Sequence, residues 1–355
     1  MMEAQETNAR PERSWFDRHF DTPRVRFLRR AAIFIVAGVF FHMTLIKPSC
    51  NLREIEGLRA SASAFSKGQP HDAIGPLDKV DENHRWAFQP GKGFRPLREP
   101  EPGDWAYEFQ EDPQTFRAYL DKGPNLVTPE RDVLYLQPTG DFDPARAPDM
   151  EVLREFLEVY FQMETRLRPK MRGYSVTQRS DEKTGRTQLL VTEMLEAMKE
   201  DVPEDAYAVL ALSTTDLYPD PSWGFVFGMA SFSDRVGVYS VARFYDEFFE
   251  PSAKTPPEVV MRRTLGIIAH ETGHMFSMAH CKHFHCVLNG TNSLDESDRG
   301  TLHLCPACLR KLYHAHAFDP LERYRQLQLF YEKHGLHEEA AWIGRRVDVL
   351  GEKRE

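Results

Sequence analysis

Two histidines, with a glutamate directly after the first, are the residues best suited to chemistry in this sequence. His270, Glu271 and His274 stand in the run HETGH, and His280 follows six residues after His274. Histidines at positions i and i+4 of a helix lie on one face, one turn apart, so one metal ion can bind both. Three neutral nitrogen ligands on zinc leave a fourth position for water. The spacing therefore predicts a catalytic zinc site in which Glu271, as general base, takes the proton of a water activated by zinc.

The HExxH motif is short, and it also occurs by chance. The stretch LGIIA at residues 265–269 has the apolar character of a buried helix, so the two histidines could instead be hydrogen-bonded residues of a core helix. A zinc hydrolase of the deformylase type, which is not a peptidase, is another alternative. The third histidine and the cysteines behind it favour a peptidase, because this extended motif is the long zinc-binding consensus of the metzincins.

Four of the five cysteines lie in one short window directly after the third histidine. They are Cys281, Cys286, Cys305 and Cys308. A C-x4-C pair followed by a CxxC pair is typical of a structural zinc site. Disulfides, which need an oxidising compartment, and a redox-active CxxC pair are the alternatives. Three nearby histidines could each replace one thiolate, namely His283, His285 and His303.

Residues 270–312 resemble the archaemetzincin family, whose pattern joins HExxHxxGxxH directly to C-x4-C-x-M and a later CxxC. Four earlier segments resemble strands of that family, namely residues 133–138, 216–219, 223–228 and 236–244. The resemblance covers roughly residues 130–315, with a weaker likeness from about residue 85. It implies a metzincin-like peptidase that binds two zinc ions per chain, one catalytic and held by three histidines, the other structural.

Two positions depart from the family pattern. Ser277 stands where the family has a glycine that ends the helix, and a serine in such a left-handed turn costs roughly 1 kcal/mol. Leu288 stands where the family has the methionine beneath the zinc, and its similar volume keeps the cost under about 1.5 kcal/mol. Neither change removes a ligand or the general base. They leave open an alternative function as a zinc-stabilised binding protein of the same fold with weak or no activity.

The hydrophobic pattern predicts a mixed α/β fold of the α+β type: a twisted mixed sheet with helices, split by a cleft with the zinc-binding helix on its floor. Strands are predicted at 132–137, 187–191, 207–212, 225–227 and 237–241, and helices at 149–166, 193–200 and 259–278. By analogy with the family, residues 236–241 are expected to form the edge strand that lines the cleft and pairs with an extended substrate. Residues 320–334 and 338–350 are predicted to form a helical hairpin, broken at Gly335.

Composition is that of an ordinary globular protein, with 41% hydrophobic and 28% charged residues among 355. The net charge of −9 argues against a nucleic-acid binder, which would carry a basic patch. The expected partner is a peptide or protein substrate. The sequence does not distinguish an aminopeptidase from an endopeptidase, and it gives no indication of the oligomeric state.

The first 47 residues differ in composition from the rest of the chain. Residues 1–30 contain seven arginines, and residues 31–46 carry no formal charge. An apolar run behind a basic segment is typical of a signal anchor or a signal peptide, which residues 31–47 are predicted to be. A buried core helix is the alternative. A membrane span here would place the catalytic domain outside the cytoplasm, because arginines favour the inner side; otherwise the protein would be cytoplasmic.

Five segments are therefore expected along the chain. Residues 1–30 are the Arg-rich segment, and residues 31–47 are the signal-anchor segment. Residues 48–128, rich in proline and glycine, form a lead-in with short helices. Residues 129–315 form the metzincin-like catalytic domain, and residues 316–355 form the C-terminal helical hairpin.

Overall fold

The computed structural model describes residues 70–351, apart from 92, 141, 143–147, 173–174 and 232. The Arg-rich segment at 1–30 and the signal anchor predicted at 31–47 lie outside these described residues. Within the described part of the chain, no helix combines the length and the apolar character that crossing a bilayer requires.

Ten α-helices occur among the described residues. In chain order they are α1 (Pro70–Ile74), α2 (Trp105–Glu108), α3 (Phe116–Asp121), α4 (Met150–Phe161), α5 (Val191–Lys199), α6 (Pro257–Met275), α7 (Leu294–Asp298), α8 (Pro306–Ala315), α9 (Pro320–Lys333) and α10 (His337–Gly351). Short 3₁₀ helices span Glu82–Phe88, Ala242–Phe244 and Asp246–Phe248. Local capping signals fix several starts: Asp149, for example, accepts the N–H of Glu151 at 2.9 Å at the start of α4.

Eight strands form two sheets in the same part of the chain. They are β1 (Val133–Pro138), β2 (Thr165–Leu167), β3 (Gln178–Ser180), β4 (Thr187–Leu190), β5 (Ala206–Ser213), β6 (Asp216–Tyr218), β7 (Gly228–Ser231) and β8 (Val236–Ser240). The larger sheet has the order β2-β1-β5-β8-β7, and β7 alone runs antiparallel to its neighbour. The smaller sheet has the order β3-β4-β6, with β3 antiparallel to β4 and β4 parallel to β6. The predicted mixed α/β fold is confirmed.

Helices cover both faces of the larger sheet. Leu210 and Leu212 of β5 pack in one core cluster with Leu265 of α6. Val209 and Ala211 point to the opposite face, where they pack with residues of α5. A strand covered on both faces is apolar at every position, which is why the sequence of β5 reads as a continuous hydrophobic run.

The prediction that residues 236–241 form the edge strand is wrong. β8 lies inside the sheet, with Val209 of β5 paired to Val236 on one side and Gly228 of β7 paired to Tyr239 on the other. The edge strand on this side of the sheet is β7, and β2 is the edge strand on the other side. All five residues of β8 are buried, whereas only Gly228 is buried in β7. An interior strand buries both faces and both edges, and periodicity alone does not show which strands are neighbours.

Two predicted element bounds also shift. The helix predicted at 149–166 ends at Phe161, because Gln162 adopts a left-handed conformation with φ 55°. The chain then returns as β2, which pairs in parallel with β1. The strand predicted at 225–227 begins instead at Gly228, and within the predicted range Val226 makes an isolated bridge to Leu217. In both places, pairing with another segment of the chain outweighs the secondary structure that the local sequence favours.

The zinc-binding helix predicted at 259–278 is α6. Pro257 stands at its first helical position, where a residue without an N–H is well tolerated. The helix ends at Met275, three residues before the predicted bound. Ser277 then adopts a left-handed conformation, with φ 63°, and turns the chain back towards the helix.

The predicted helical hairpin is formed by α9 and α10. Gly335, with φ 73°, stands in the turn between them. Tyr324, Leu327 and Tyr331 are buried along one face of α9, as the spacing predicts. The ring of Tyr331 lies 6.4 Å from that of Phe156 in α4, so the hairpin packs on the same core as the sheet.

Candidate catalytic and metal-binding site

The structure brings the three predicted histidines together at the end of α6. One nitrogen from each of His270, His274 and His280 lies within 4.8 Å of the other two. The Nε2 atoms of His270 and His274 are 2.9 Å apart. His280 reaches this position because the turn at Ser277 returns the chain to the helix.

Hydrogen bonds fix the proton on the far nitrogen of both helix histidines. His270 Nδ1 lies 2.8 Å from the carbonyl oxygen of Val287, and His274 Nδ1 lies 2.6 Å from that of Met278. A carbonyl oxygen only accepts, so each Nδ1 carries the proton and donates it. Each Nε2 therefore presents a lone pair. Two lone pairs that face each other at 2.9 Å repel unless a cation lies between them, so the donor set fits a bound metal ion.

The third histidine has a different partner. His280 Nδ1 donates to the carboxylate of Glu111, with 3.1 Å to Oε2. Its Nε2 is thereby left for the metal in the same way. The ring of Trp105 packs against that of His280, with ring centroids 4.2 Å apart.

Burial sets the charge state of the two helix histidines. It lowers the pKa of His270 to about 3, with a further contribution from His280. Burial, with the neighbouring His270 and His280, also holds the pKa of His274 well below its usual value. Both imidazoles are therefore neutral over the physiological range, and the neutral form is the one that binds metal ions.

Glu271 follows His270 on α6 and is only 4% exposed. Burial raises the pKa of its carboxyl group to about 8. Tyr239 of β8 lies beneath α6, and its buried hydroxyl makes no hydrogen bond to any described residue. Burial raises the pKa of Tyr239 well above its usual value, and the negative charge of Glu271 adds to this shift. Glu271 is thus held in a low-dielectric environment, one residue after His270 on α6.

The turn that carries the chain to His280 is held by residues far away in the sequence. Asn125 donates its backbone N–H to Ser277 Oγ at 3.0 Å. The side-chain amide of Gln114 donates to the Ser277 carbonyl at 3.1 Å and accepts the Ala279 N–H at 3.0 Å. Serine therefore supports the left-handed turn that glycine adopts freely, because its hydroxyl accepts a hydrogen bond.

Leu288, which stands where the family pattern has a methionine, packs against Gly273 of α6. It is fully buried, and a Cβ added to Gly273 would lie 2.6 Å from its Cδ2. The Leu288 carbonyl also accepts the N–H of Cys281 at 2.7 Å. The glycine of the HETGH run thus gives this apolar side chain room to contact the helix.

The four predicted cysteines form a second, separate cluster. Their sulfur atoms lie within 4.8 Å of one another, and all four residues are buried. Cys281 Sγ and Cys305 Sγ are 3.6 Å apart, well beyond the roughly 2.05 Å of a disulfide, so the disulfide alternative does not hold in this structure. Hydrogen bonds from Cys286, Cys305 and Cys308 hold the pKa of the Cys281 thiol well below its usual value. A tetrahedral set of sulfur donors fits zinc.

The three histidines near the cysteines lie outside the sulfur cluster. His303 stacks on Trp342 of α10, with ring centroids 3.8 Å apart and planes 10° from parallel. His285 Nε2 lies 3.0 Å from the carbonyl oxygen of Arg299, to which it donates. His283 is largely buried, and its Nε2 makes no hydrogen bond to a described residue.

Glu111, Gln114 and Trp105 are site residues that the sequence patterns do not reveal. They stand before β1 in the chain, and Glu111 precedes His280 by 169 positions. Motif spacing detects ligands that are close in sequence, and no such spacing links these residues to the HETGH run.

Comparison with known proteins agrees with this site. A model of peptidase family M54 matches residues 158–314. Archaemetzincin-2 of Rattus norvegicus is 32% identical over 291 residues, which cover 72% of this chain and 81% of the relative. Archaemetzincin-2 of Homo sapiens is 33% identical over 275 residues, which cover 68% and 76%. The crystal structure of archaemetzincin from Methanopyrus kandleri is 26% identical and covers 53% of this chain and 96% of its own, with a TM-score of 0.41.

The matched family defines the class of protein as a zinc metallopeptidase. The two archaemetzincin-2 relatives are about one third identical to this chain, and the match extends over more than two thirds of their length. The chain therefore belongs to the archaemetzincin family.

Proposed function

We propose that this metallopeptidase hydrolyses peptide bonds at a zinc ion held by His270, His274 and His280, with Glu271 as general base. The observation that carries the proposal is the pair of facing Nε2 atoms, 2.9 Å apart, on histidines whose Nδ1 atoms are both committed to carbonyl oxygens. Such a pair needs a cation between its lone pairs. The substrates are peptides or proteins.

Glu271 is placed to move the protons of the reaction. Zinc bound at the three histidines would polarise the scissile carbonyl and lower the pKa of a water molecule. The positive charge of that zinc would favour the ionised carboxylate, against the burial that raises the pKa of Glu271 to about 8. Glu271 would then accept the proton of the attacking water and deliver it to the leaving amine. Its place on α6, one residue after His270, fixes its carboxylate relative to the imidazoles.

We also propose a second, structural zinc at Cys281, Cys286, Cys305 and Cys308. Four thiolates around zinc carry a net charge of about −2, and such closed sites serve stability rather than catalysis. Cys281 directly follows His280 in the sequence. A metal ion that fixes Cys281 therefore also restrains the third histidine.

Hydrolysis of a mixed peptide library, followed by mass spectrometry, tests the proposed chemistry. The parent protein is expected to cleave members of the library, and Glu271→Ala is expected to lose this cleavage while keeping its zinc, because the carboxylate is not a ligand. Cleavage by Glu271→Ala at the parent rate would refute the general-base role. Loss of zinc in that variant would show that Glu271 holds the metal instead.

A further inference from the structure

Residues 105–114, the strap, cross the turn that carries His280 and contact it through both side chains and backbone. Lys282 Nζ donates to the Glu111 carbonyl at 2.6 Å. Lys311 Nζ, on α8, donates to the Gln114 carbonyl at 2.6 Å. The strap is thus hydrogen-bonded to Lys282, which directly follows Cys281, and to α8, which begins directly after Cys305.

We propose that Glu111 is a positioning residue for the third zinc ligand, an inference that rests on the proposed function. Its carboxylate accepts the Nδ1–H of His280, with 3.1 Å to Oε2, and so holds the ring with Nε2 turned towards His270 and His274. Carboxylate partners of this kind fix the tautomer and orientation of a ligating histidine and raise its basicity.

The other two ligands do not need such a partner. His270 and His274 stand on a rigid helix, and their Nδ1 atoms donate to backbone carbonyl oxygens. His280 stands in a turn behind Ser277, outside any helix or strand. Its ring orientation therefore depends on contacts made by its side chain, and the carboxylate of Glu111 makes a charged one.

Trp105 fixes the plane of the same ring. Its indole lies against His280 at 4.2 Å between centroids, and its backbone N–H donates to Glu296 at 2.9 Å. Gly290 gives the indole room, because a Cβ there would lie 2.3 Å from the ring. With the tilted indole of Trp105 against the imidazole and Glu111 bonded to Nδ1, rotation of the His280 ring is restricted by two contacts.

The strap lies before the segment matched by the family model, residues 158–314. Glu111 is 28% exposed at its side chain, so its carboxylate remains partly hydrated and the cost of burying its charge is small. A partly hydrated carboxylate can therefore restrain His280 without destabilising the folded protein.

Zinc affinity of the full chain, measured by competition with a chromophoric chelator, tests the role of Glu111. Glu111→Ala is expected to bind zinc at the three histidines 10- to 100-fold more weakly, the range typical of lost partners of metal ligands. Glu111→Gln keeps an oxygen acceptor and is expected to lose less. Asp112→Asn, an exposed neighbour with the same charge change, is the matched control and should equal the parent.

Cobalt substitution separates positioning from folding. In Glu111→Ala the visible d–d bands of cobalt at the three histidines should change, while the sulfur-to-cobalt charge-transfer bands of the cysteine site stay as in the parent. Parent affinity and parent spectra in Glu111→Ala would overturn the inference alone. Loss of metal from both sites together would also overturn it, because the strap would then support the fold. A parent protein that binds no metal at the histidines would refute the proposed function as well.

Discussion

Ser277 shows how one residue can keep a backbone conformation that its family assigns to glycine. A left-handed φ costs a residue with a Cβ roughly 1–2 kcal/mol. Ser277 adopts φ 63°, and its hydroxyl accepts the N–H of Asn125 at 3.0 Å. A hydrogen bond of this kind contributes about 0.5–1.5 kcal/mol, so it offsets much of the strain. The hydrogen bond to Ser277 thus stabilises the strained turn that leads to His280.

Substitutions at Ser277 separate the effect of backbone strain from that of the hydrogen bond with Asn125. Ser277→Ala keeps the strain and loses the hydrogen bond, so we expect the free energy of unfolding to fall by about 1 kcal/mol. Ser277→Gly loses the same bond but relieves the strain, so it should be more stable than the alanine variant by about 1 kcal/mol. Urea unfolding of the zinc-saturated proteins measures both. An alanine variant as stable as the glycine variant would show that the turn is not strained.

At the scale of elements, the packing of β8 beneath α6 depends on small residues around Tyr239. A Cβ added to Gly237 would lie 2.1 Å from the Tyr239 hydroxyl, and one added to Gly228 would lie 2.2 Å from the ring. Tyr239 is 1% exposed and pairs with Leu212 of β5 in the sheet. The ring therefore occupies the space that side chains at these two positions would need.

Gly237→Ala is expected to destabilise the fold by about 1–3 kcal/mol, as overpacking of a well-packed core does. Gly224→Ala is the control, since nothing lies within 4 Å of an added Cβ there. The two midpoints of thermal or urea unfolding give the comparison. Equal stability of the two variants would mean that Tyr239 moves aside at no cost, and that its packing does not support α6.

Periodicity in the sequence predicts much of this architecture. α6, β5 and the α9–α10 hairpin follow from apolar spacing, because each buries a continuous face. The neighbours of β8 do not follow from spacing, since strand order depends on which distant segments pair. The early end of α4 at Phe161 has the same cause: the residues after Gln162 pair with β1, a contact that the local helical pattern does not contain.

At the scale of the whole molecule, both candidate metal-binding clusters are supported by segments that are far away in the chain. The histidines and cysteines were predictable because they lie within 39 residues of one another, from His270 to Cys308. Glu111 and Gln114 were not, because only the folded chain brings the lead-in to the turn. Lys311 of α8 donates to Gln114 Oε1 at 3.0 Å, and that oxygen also accepts the Ala279 N–H. A continuous path therefore links the cysteine cluster to His280.

Zinc per chain, measured by elemental analysis of the protein with this sequence, tests the proposed pair of zinc sites most directly. Two zinc ions per chain are expected, one at the histidines and one at the cysteines. Cys305→Ala is expected to hold less than one zinc ion per chain. The variant loses the thiolate site and also the N-cap of α8, the helix whose Lys311 holds Gln114. Because Gln114 supports the turn before His280, the histidine site is weakened as well. A parent protein with one zinc or none would contradict the proposed pair of sites. A Cys305→Ala variant that keeps one full zinc at the histidines would contradict the link between them.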